Sequence, residues 1–181
     1  MAKNSILPIR PAVADDAAGI QAIMAYYILE TNCNWRYKVM DQNETRQWLA
    51  QHMVRDVHKV WVATDQEKIV AYGCLSDFRA PEAYQVCAED SVYVLPDYKG
   101  LGIGNRLLEQ LIKQAAEHGL KTLVAAINAD NTSSVRFHER HGFVKSGLLR
   151  RVGFKYGQCL DLLLMTLDLQ NSQPQAERDD A

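Results

Sequence analysis

Apolar residues recur at helical spacing in some stretches of this chain and alternate with polar ones in others, and the two periods divide it into elements. Ile20, Ile23, Met24, Tyr27 and Ile28 share one face of a helix through Glu30, with Asp15 and Asp16 supplying cap and first-turn charge. Asp41, with Glu44 three residues later, has the form of a capping box. It starts a second helix to about Arg55 that turns Trp48, Leu49 and His52 or Met53 inward. A third helix runs from about Gly104 to His118 and stops at Gly119; a short fourth runs from Thr132 or Ser133 to His141 and stops at Gly142. Strands are predicted at Ile6 to Arg10, Lys59 to Thr64, Ile69 to Leu75, Ala88 to Val94, Thr122 to Ile127, Phe143 to Arg151 and Leu160 to Asp168. Asp65-Gln66-Glu67 marks a hairpin, and Pro81 makes Phe78 to Tyr84 a loop. Helices therefore flank a mixed, mostly antiparallel sheet with one βαβ unit at its centre, an α/β (α+β) architecture. Residues 1–169 form one domain, and the polar, patternless residues 170–181 are predicted to be a disordered tail.

Composition narrows the function classes. The 181 residues can bury a substantial core without disulfides or metals, and a net charge of −2 with 48% hydrophobic residues is ordinary for a soluble globular protein. Basic residues are scattered rather than striped with aromatics, which argues against nucleic acid as a partner. Leu160 to Leu167 is interrupted by Asp161 and is too short to span a bilayer, and Met1 to Pro8 holds no signal-peptide apolar core. A cytoplasmic location is the expectation. Cys33, Cys74, Cys87 and Cys159 form no Cys-x-x-Cys pair, so reduced thiols are expected and a zinc site is not. Cys87 shares a strand face with Glu89, but no Cys-His-Asn/Asp arrangement lies near it.

The chemistry concentrates after the fourth strand. Tyr98-Lys99-Gly100-Leu101-Gly102-Ile103-Gly104-Asn105-Arg106 places three alternating glycines at the start of an amphipathic helix. Unpaired N–H groups and the macrodipole there favour an anion such as a pyrophosphate. No Gly-Lys-Ser/Thr follows, which excludes a Walker loop, and Leu107 stands where a dinucleotide fingerprint needs glycine. Downstream, Asn131-Thr132-Ser133-Ser134 is followed four residues later by His138 and then by Gly142-Phe143.

Together these segments resemble the acetyl-CoA site of the GNAT acyltransferases. That family's Arg/Gln-x-x-Gly-x-Gly/Ala pattern falls on Lys99, Gly102 and Gly104, with Lys as a mild departure. The resemblance implies that Val94, Lys99, Gly100, Leu101, Gly102, Ile103, Gly104 and Asn105 bind acetyl-CoA, with Asn131 and Ser134 near its pantetheine. His138 stands where the family has a Tyr that protonates the departing thiolate; an imidazole can do this, or can simply pack beneath the cofactor. Asn131 can equally be a helix cap. A neutral amine nucleophile needs a base, for which the resemblance singles out Glu89, acting directly or through one water. Asp90 is its chemical rival, sent to the opposite face by strand alternation. A backbone N–H at Val94 or Leu95 is expected to receive the oxyanion, and no metal is required.

His138-Glu139, Gly153-Phe154-Lys155-Tyr156-Gly157 and Leu160-Asp161 resemble the phosphinothricin and methionine sulfoximine/sulfone acetyltransferase branch, over about Ile9 to Leu169. The resemblance implies a substrate pocket with Trp35, Arg79 and Tyr84, and a homodimer. The branch's second basic position falls on Pro81, and one cation suits an anionic head less well than two. The expected acceptor is therefore methionine sulfoximine or sulfone ahead of phosphinothricin. A protein lysine or N-terminal acetyltransferase and a non-catalytic acyl-CoA-binding module are the alternatives.

Overall fold

The computed structural model describes residues 6–170; the expectations about residues 1–5 and the tail from 171 onward lie outside them. Its strands are β1 (Ile9–Pro11), β2 (Trp61–Asp65), β3 (Lys68–Asp77), β4 (Cys87–Val94), β5 (Thr122–Asn128), β6 (Val144–Lys155) and β7 (Gln158–Asp168). Its α-helices are α1 (Ala17–Leu29), α2 (Gln42–Met53), α3 (Ile103–Glu117) and α4 (Thr132–Arg140). The sheet order is β1-β2-β3-β4-β5-β7-β6, antiparallel throughout except where β4 and β5 pair in parallel across the α3 crossover.

The helical faces pack as their periodicity predicts. Ile20, Ile23, Met24, Tyr27 and Ile28 of α1 are buried with Leu49 of α2 against Val60, Val62, Tyr72 and Cys74. On the other face, Leu107, Leu108 and Leu111 of α3 are fully buried. Truncating any of these leucines to Ala would cost about 2–5 kcal/mol through lost transfer energy and the cavity left behind. Gln114 of α3 is buried yet satisfied, donating to the Val57 carbonyl and accepting from the Trp61 indole.

Several boundaries differ from expectation for identifiable reasons. Asp16 does not cap α1: its carboxylate accepts from Val13 N–H and pairs with Arg10 at 2.6 and 2.8 Å. β1 begins three residues late, since Pro8 has no N–H to offer a ladder. Of His52 and Met53, it is His52 that turns inward, its ring 4.3 Å from that of Trp48, while Met53 is half exposed and Leu49 is buried. β6 continues to Lys155 because Tyr156 and Gly157 both take positive φ, 50° and 76°, giving the tight two-residue turn that joins it directly to β7. Residues 82–86, expected as part of a loop or just beyond it, form a 3-10 turn that Pro81 opens. The Asp41–Glu44 capping box is realised with both of its hydrogen bonds.

Candidate functional site

The parallel β4–β5 ladder is short. Its last pair is Glu89–Val124, after which the two strands part. A cavity of about 890 Å³ opens in the gap and extends to the start of α3 and along α4. Strand alternation assigns the walls: Val92 and Val94 pack on the α3 side, and Tyr93 packs with the α1 cluster. Glu89 and Ser91 therefore share the Tyr93 face, and Asp90 lies on the α3–α4 face.

At one end, Gly102 caps α3 with φ 75°, and Gly100 takes φ 79°. Nothing lies within 4 Å of a Cβ built at either position, so backbone conformation and not space selects glycine there. Arg106 N–H closes the first helical bond onto the Gly102 carbonyl. The N–H groups of Ile103, Gly104 and Asn105 are then the donors that α3 itself cannot satisfy. All three residues line the cavity, as do Gly100, Gly102 and Lys99. The Lys99 ammonium stands 5.5 Å from the centre of the Tyr27 ring. Leu101 does not join the wall; its side chain is half exposed.

In the middle, the Val94 peptide is oriented by the sheet. Leu95 donates its N–H to the Val70 carbonyl at 2.9 Å, which removes it as a free donor. Hydrogen-bonded and non-bonded pairs alternate along an antiparallel ladder, so the neighbouring Val94–Ala71 pair is a non-bonded one. Val94 therefore turns its peptide groups away from β3, toward the gap. Its carbonyl accepts the Tyr27 hydroxyl at 2.6 Å, and its N–H faces the same gap. Of the two amides expected for an oxyanion, only Val94 has the orientation for it.

At the far end, Glu89 lines the cavity with its carboxyl pushed above the usual carboxylate range by burial, and further by the Asp90 charge. Trp35, Asn34 and Cys33 come from the loop after α1. Asn131 caps α4 by accepting from Ser134 N–H at 3.2 Å, and its amide nitrogen donates to the Cys33 sulfur at 3.3 Å. Asn131, Ser134 and His138 all contribute to the wall. Both nitrogens of His138 already face protein acceptors, the Ser134 carbonyl at 2.8 Å and Asp90 at 3.2 Å. This is poor geometry for the thiolate acid expected at this position.

Arg79 and Tyr84 are not brought to the cavity. Phe78 collects both, with the Arg79 guanidinium 5.2 Å from its ring centre and the Tyr84 ring at 5.8 Å. Conversely, Tyr27, Tyr93, Cys33, Asn128 and Phe137 line the cavity without having been anticipated. Tyr93 carried a signal, since it alternates with Glu89; Tyr27 read only as core. Among the described residues, no group of three or more His, Cys, Asp or Glu side chains is placed to hold a metal ion, and no helix is long and apolar enough to cross a membrane.

Residues 21–143 match the Acetyltransferase (GNAT) family. The chain is 36% identical to the L-methionine sulfoximine/L-methionine sulfone acetyltransferase of Pseudomonas aeruginosa, over 89% of this chain and 94% of that one. It is 32% identical to the L-amino acid N-acyltransferase MnaT of Escherichia coli, over 94% and 99%. The crystal structure of a phosphinothricin acetyltransferase from Sinorhizobium meliloti in complex with acetyl-CoA superposes with a TM-score of 0.87 at 27% identity, covering 98% of each chain.

Proposed function

We propose, from the premise that this chain belongs to the GNAT family of acetyltransferases, that it moves acetyl from acetyl-CoA to the α-amino group of a small amino-acid analogue. One observation carries the reading: a single cavity joins the unsatisfied amides at the start of α3 to the half-buried carboxyl of Glu89. The α3 amides and Lys99 hold the pyrophosphate, while Asn131 and Ser134 face the pantetheine. Acetyl-CoA supplies the thioester. Glu89 takes a proton from the acceptor ammonium, directly or through one water, as the amine attacks the carbonyl. Val94 N–H receives the negative charge that develops on the carbonyl oxygen. The first proton passes from Glu89 to solvent; Glu89 then takes the second proton from the nitrogen of the tetrahedral adduct, the C–S bond breaks, and this proton passes through water to the departing thiolate, leaving a neutral amide and a free thiol.

Methionine sulfoximine and methionine sulfone are the favoured acceptors and phosphinothricin the next. Trp35 supplies an apolar wall at the Glu89 end, while Arg79, the one basic residue of the loop before β4, packs on Phe78 away from the cavity and Pro81 offers no charge in its stead. That wall suits a neutral sulfur head better than an anionic phosphinate, which needs a cation beside it. The same proposal includes a homodimer in the cytoplasm. The edge strand β6 exposes Leu148, Leu149, Val152 and Phe154, a patch that a second copy of the chain would cover. All four cysteines are unpaired, which fits a reducing compartment.

The test is a screen for thiol release from acetyl-CoA over free amino acids and their oxidised analogues, with Glu89→Gln as control. Turnover of methionine sulfoximine with higher kcat/KM than phosphinothricin is the expected result, and Pro81→Arg should narrow the difference. Activity on peptides but not on free amino acids would replace this reading with a protein-directed one.

A further inference from the structure

Asp90 and His138 form the one acid–imidazole contact in the wall of the cavity, and the transfer chemistry above uses neither. Both are more than nine-tenths buried. The His138 Nδ1 atom lies 2.8 Å from the Ser134 carbonyl oxygen, which can only accept, so Nδ1 carries a hydrogen. The Ser134 hydroxyl, at 3.4 Å, is too far to compete well. Nε2 then meets Asp90 Oδ2 at 3.2 Å. Two lone pairs would repel at that distance, so one proton lies between these atoms. Asp90 Oδ1 is buried with no hydrogen-bond partner, and the compensation for this carboxyl therefore comes through His138.

The surroundings leave no other group to supply that compensation. Glu89 adjoins Asp90 on β4, and from β3 comes Cys74, whose thiol is pushed up to about 12 by burial and by the Asp90 and Glu89 charges. The rings of Phe137 and Phe143 stand edge-on to the imidazole with centroids 5.0 Å away and bring no charge. Burial works against the imidazolium, but the Asp90 hydrogen bond and charge outweigh it and hold His138 above its ordinary value.

The position of the pair in the fold matters as much as its protonation. Asp90 is the first residue of β4 beyond the last β4–β5 pair, and His138 sits on α4, the helix that follows β5. Their contact bridges the two arms of the gap at the point where those arms separate.

We propose that Asp90 and His138 form a proton-sharing strut that fixes the separation of β4 from α4, and with it the placement of Val94 N–H against the pantetheine arm. Asp90 is a positioning residue in this arrangement. His138, with both nitrogens committed, is not the acid for the departing thiolate. The inference rests on the acetyl-transfer reading of the cavity.

Four variants test it: Asp90→Asn, His138→Gln, the double variant carrying both, and Asp90→Leu. An amide at either position can still donate across the gap, so the strut survives without a titrating imidazole in the double variant. The double variant is expected to keep kcat within about fivefold of the unaltered protein, whereas Asp90→Leu raises KM for acetyl-CoA by roughly tenfold or more. A general acid contributes about 10²–10⁴ in rate, so a loss of roughly a hundredfold in kcat for His138→Gln and for the double variant alike would overturn the proposal. A second measurement does not depend on turnover. The ¹⁵N imidazole signals of His138 should report the doubly protonated ring at pH 7.5 and, in Asp90→Asn, the neutral ring with hydrogen on Nδ1. A neutral His138 in the unaltered protein overturns the strut even where acetyl transfer is found; a protonated His138 in a protein that transfers no acetyl group overturns the functional reading alone.

Discussion

Gly153 of β6 is the seat of the Trp35 indole: a Cβ at position 153 would lie 2.5 Å from Trp35 Cζ3 and 2.7 Å from Cε3. No side-chain adjustment relieves so close an approach to a rigid ring, so the indole itself must move. Gly153→Ala is expected to cost about 1–3 kcal/mol of stability through overpacking. It should also raise KM for the acceptor about tenfold while leaving KM for acetyl-CoA unchanged. Steady-state kinetics with each substrate varied in turn would check this, and equal changes in both constants would disprove it.

Lys155, at the end of the same strand, is buried at 3% exposure and donates to the carbonyl oxygens of Ile28, Thr31 and Asn34 at 2.7, 2.8 and 2.5 Å. Tyr156 adds a bond to the Leu29 carbonyl at 2.7 Å. One ammonium thus ties the end of α1 and the loop carrying Cys33, Asn34 and Trp35 to the β6–β7 turn. Lys155→Met keeps the stem but leaves three acceptors without their donor, and a loss of about 2–3 kcal/mol is expected from denaturant unfolding. Hydrogen exchange should rise in residues 31–37 before it rises in the sheet.

Glu89→Gln should lower kcat by roughly 10²–10⁴, the range for loss of a general base. Its effect on stability has the opposite sign. Burial and the Asp90 charge raise the Glu89 carboxyl above its ordinary 4.5 in the folded chain, so the fold favours the protonated form. The corresponding stability is present below the ordinary value and is lost as pH rises through the raised one. Glu89→Gln is therefore expected to melt higher than the unaltered protein at pH 7–8, with the difference shrinking toward pH 4. The acid limb of kcat/KM in the unaltered protein should lie above the usual carboxylate range and disappear in the variant.

The glycines at the start of α3 separate backbone needs from ligand needs. Gly102→Ala forces a side chain into the left-handed region and should cost roughly 1–2 kcal/mol. Gly104 is helical, and a Cβ there would meet Phe137 at 3.5 Å and Val94 at 3.7 Å, ordinary contact distances. Gly104→Ala is expected to melt at or slightly above the unaltered temperature, since alanine favours helix, while weakening acetyl-CoA binding. Calorimetric titration beside a melting curve would show whether the two effects divide this way.

Legibility in the sequence followed the range of each interaction. The α1 face, the Asp41–Glu44 box and the glycine-led start of α3 arise from residues within a few positions of one another, and their spacing already carries the physics. The opposite faces of Glu89 and Asp90 follow from alternation alone. The Asp90–His138 contact joins residues 48 apart, and the Lys155 bonds span more than 120, so no local pattern announces either. Arg79 and Tyr84 follow from the family resemblance alone, and a match along the chain cannot register the Phe78 ring that draws both aside. The length of β6 was obscured by its irregular register between Leu149 and Gly153 and by exposed apolar residues that break alternation.

Tyr27 links the two ends of the cavity. The Lys99 ammonium stands over its ring, its hydroxyl holds Val94, and its ring lies 4.8 Å from that of Tyr93, whose own hydroxyl accepts from Asn34 in the loop beside Trp35. A continuous aromatic column thus runs from the anion end of the cavity to the acceptor loop. Filling one end should change affinity at the other, and linkage requires the factor to be identical in both directions. Dissociation constants for coenzyme A with and without acceptor, and for acceptor with and without coenzyme A, would measure that shared factor, and Tyr27→Phe should bring it toward unity.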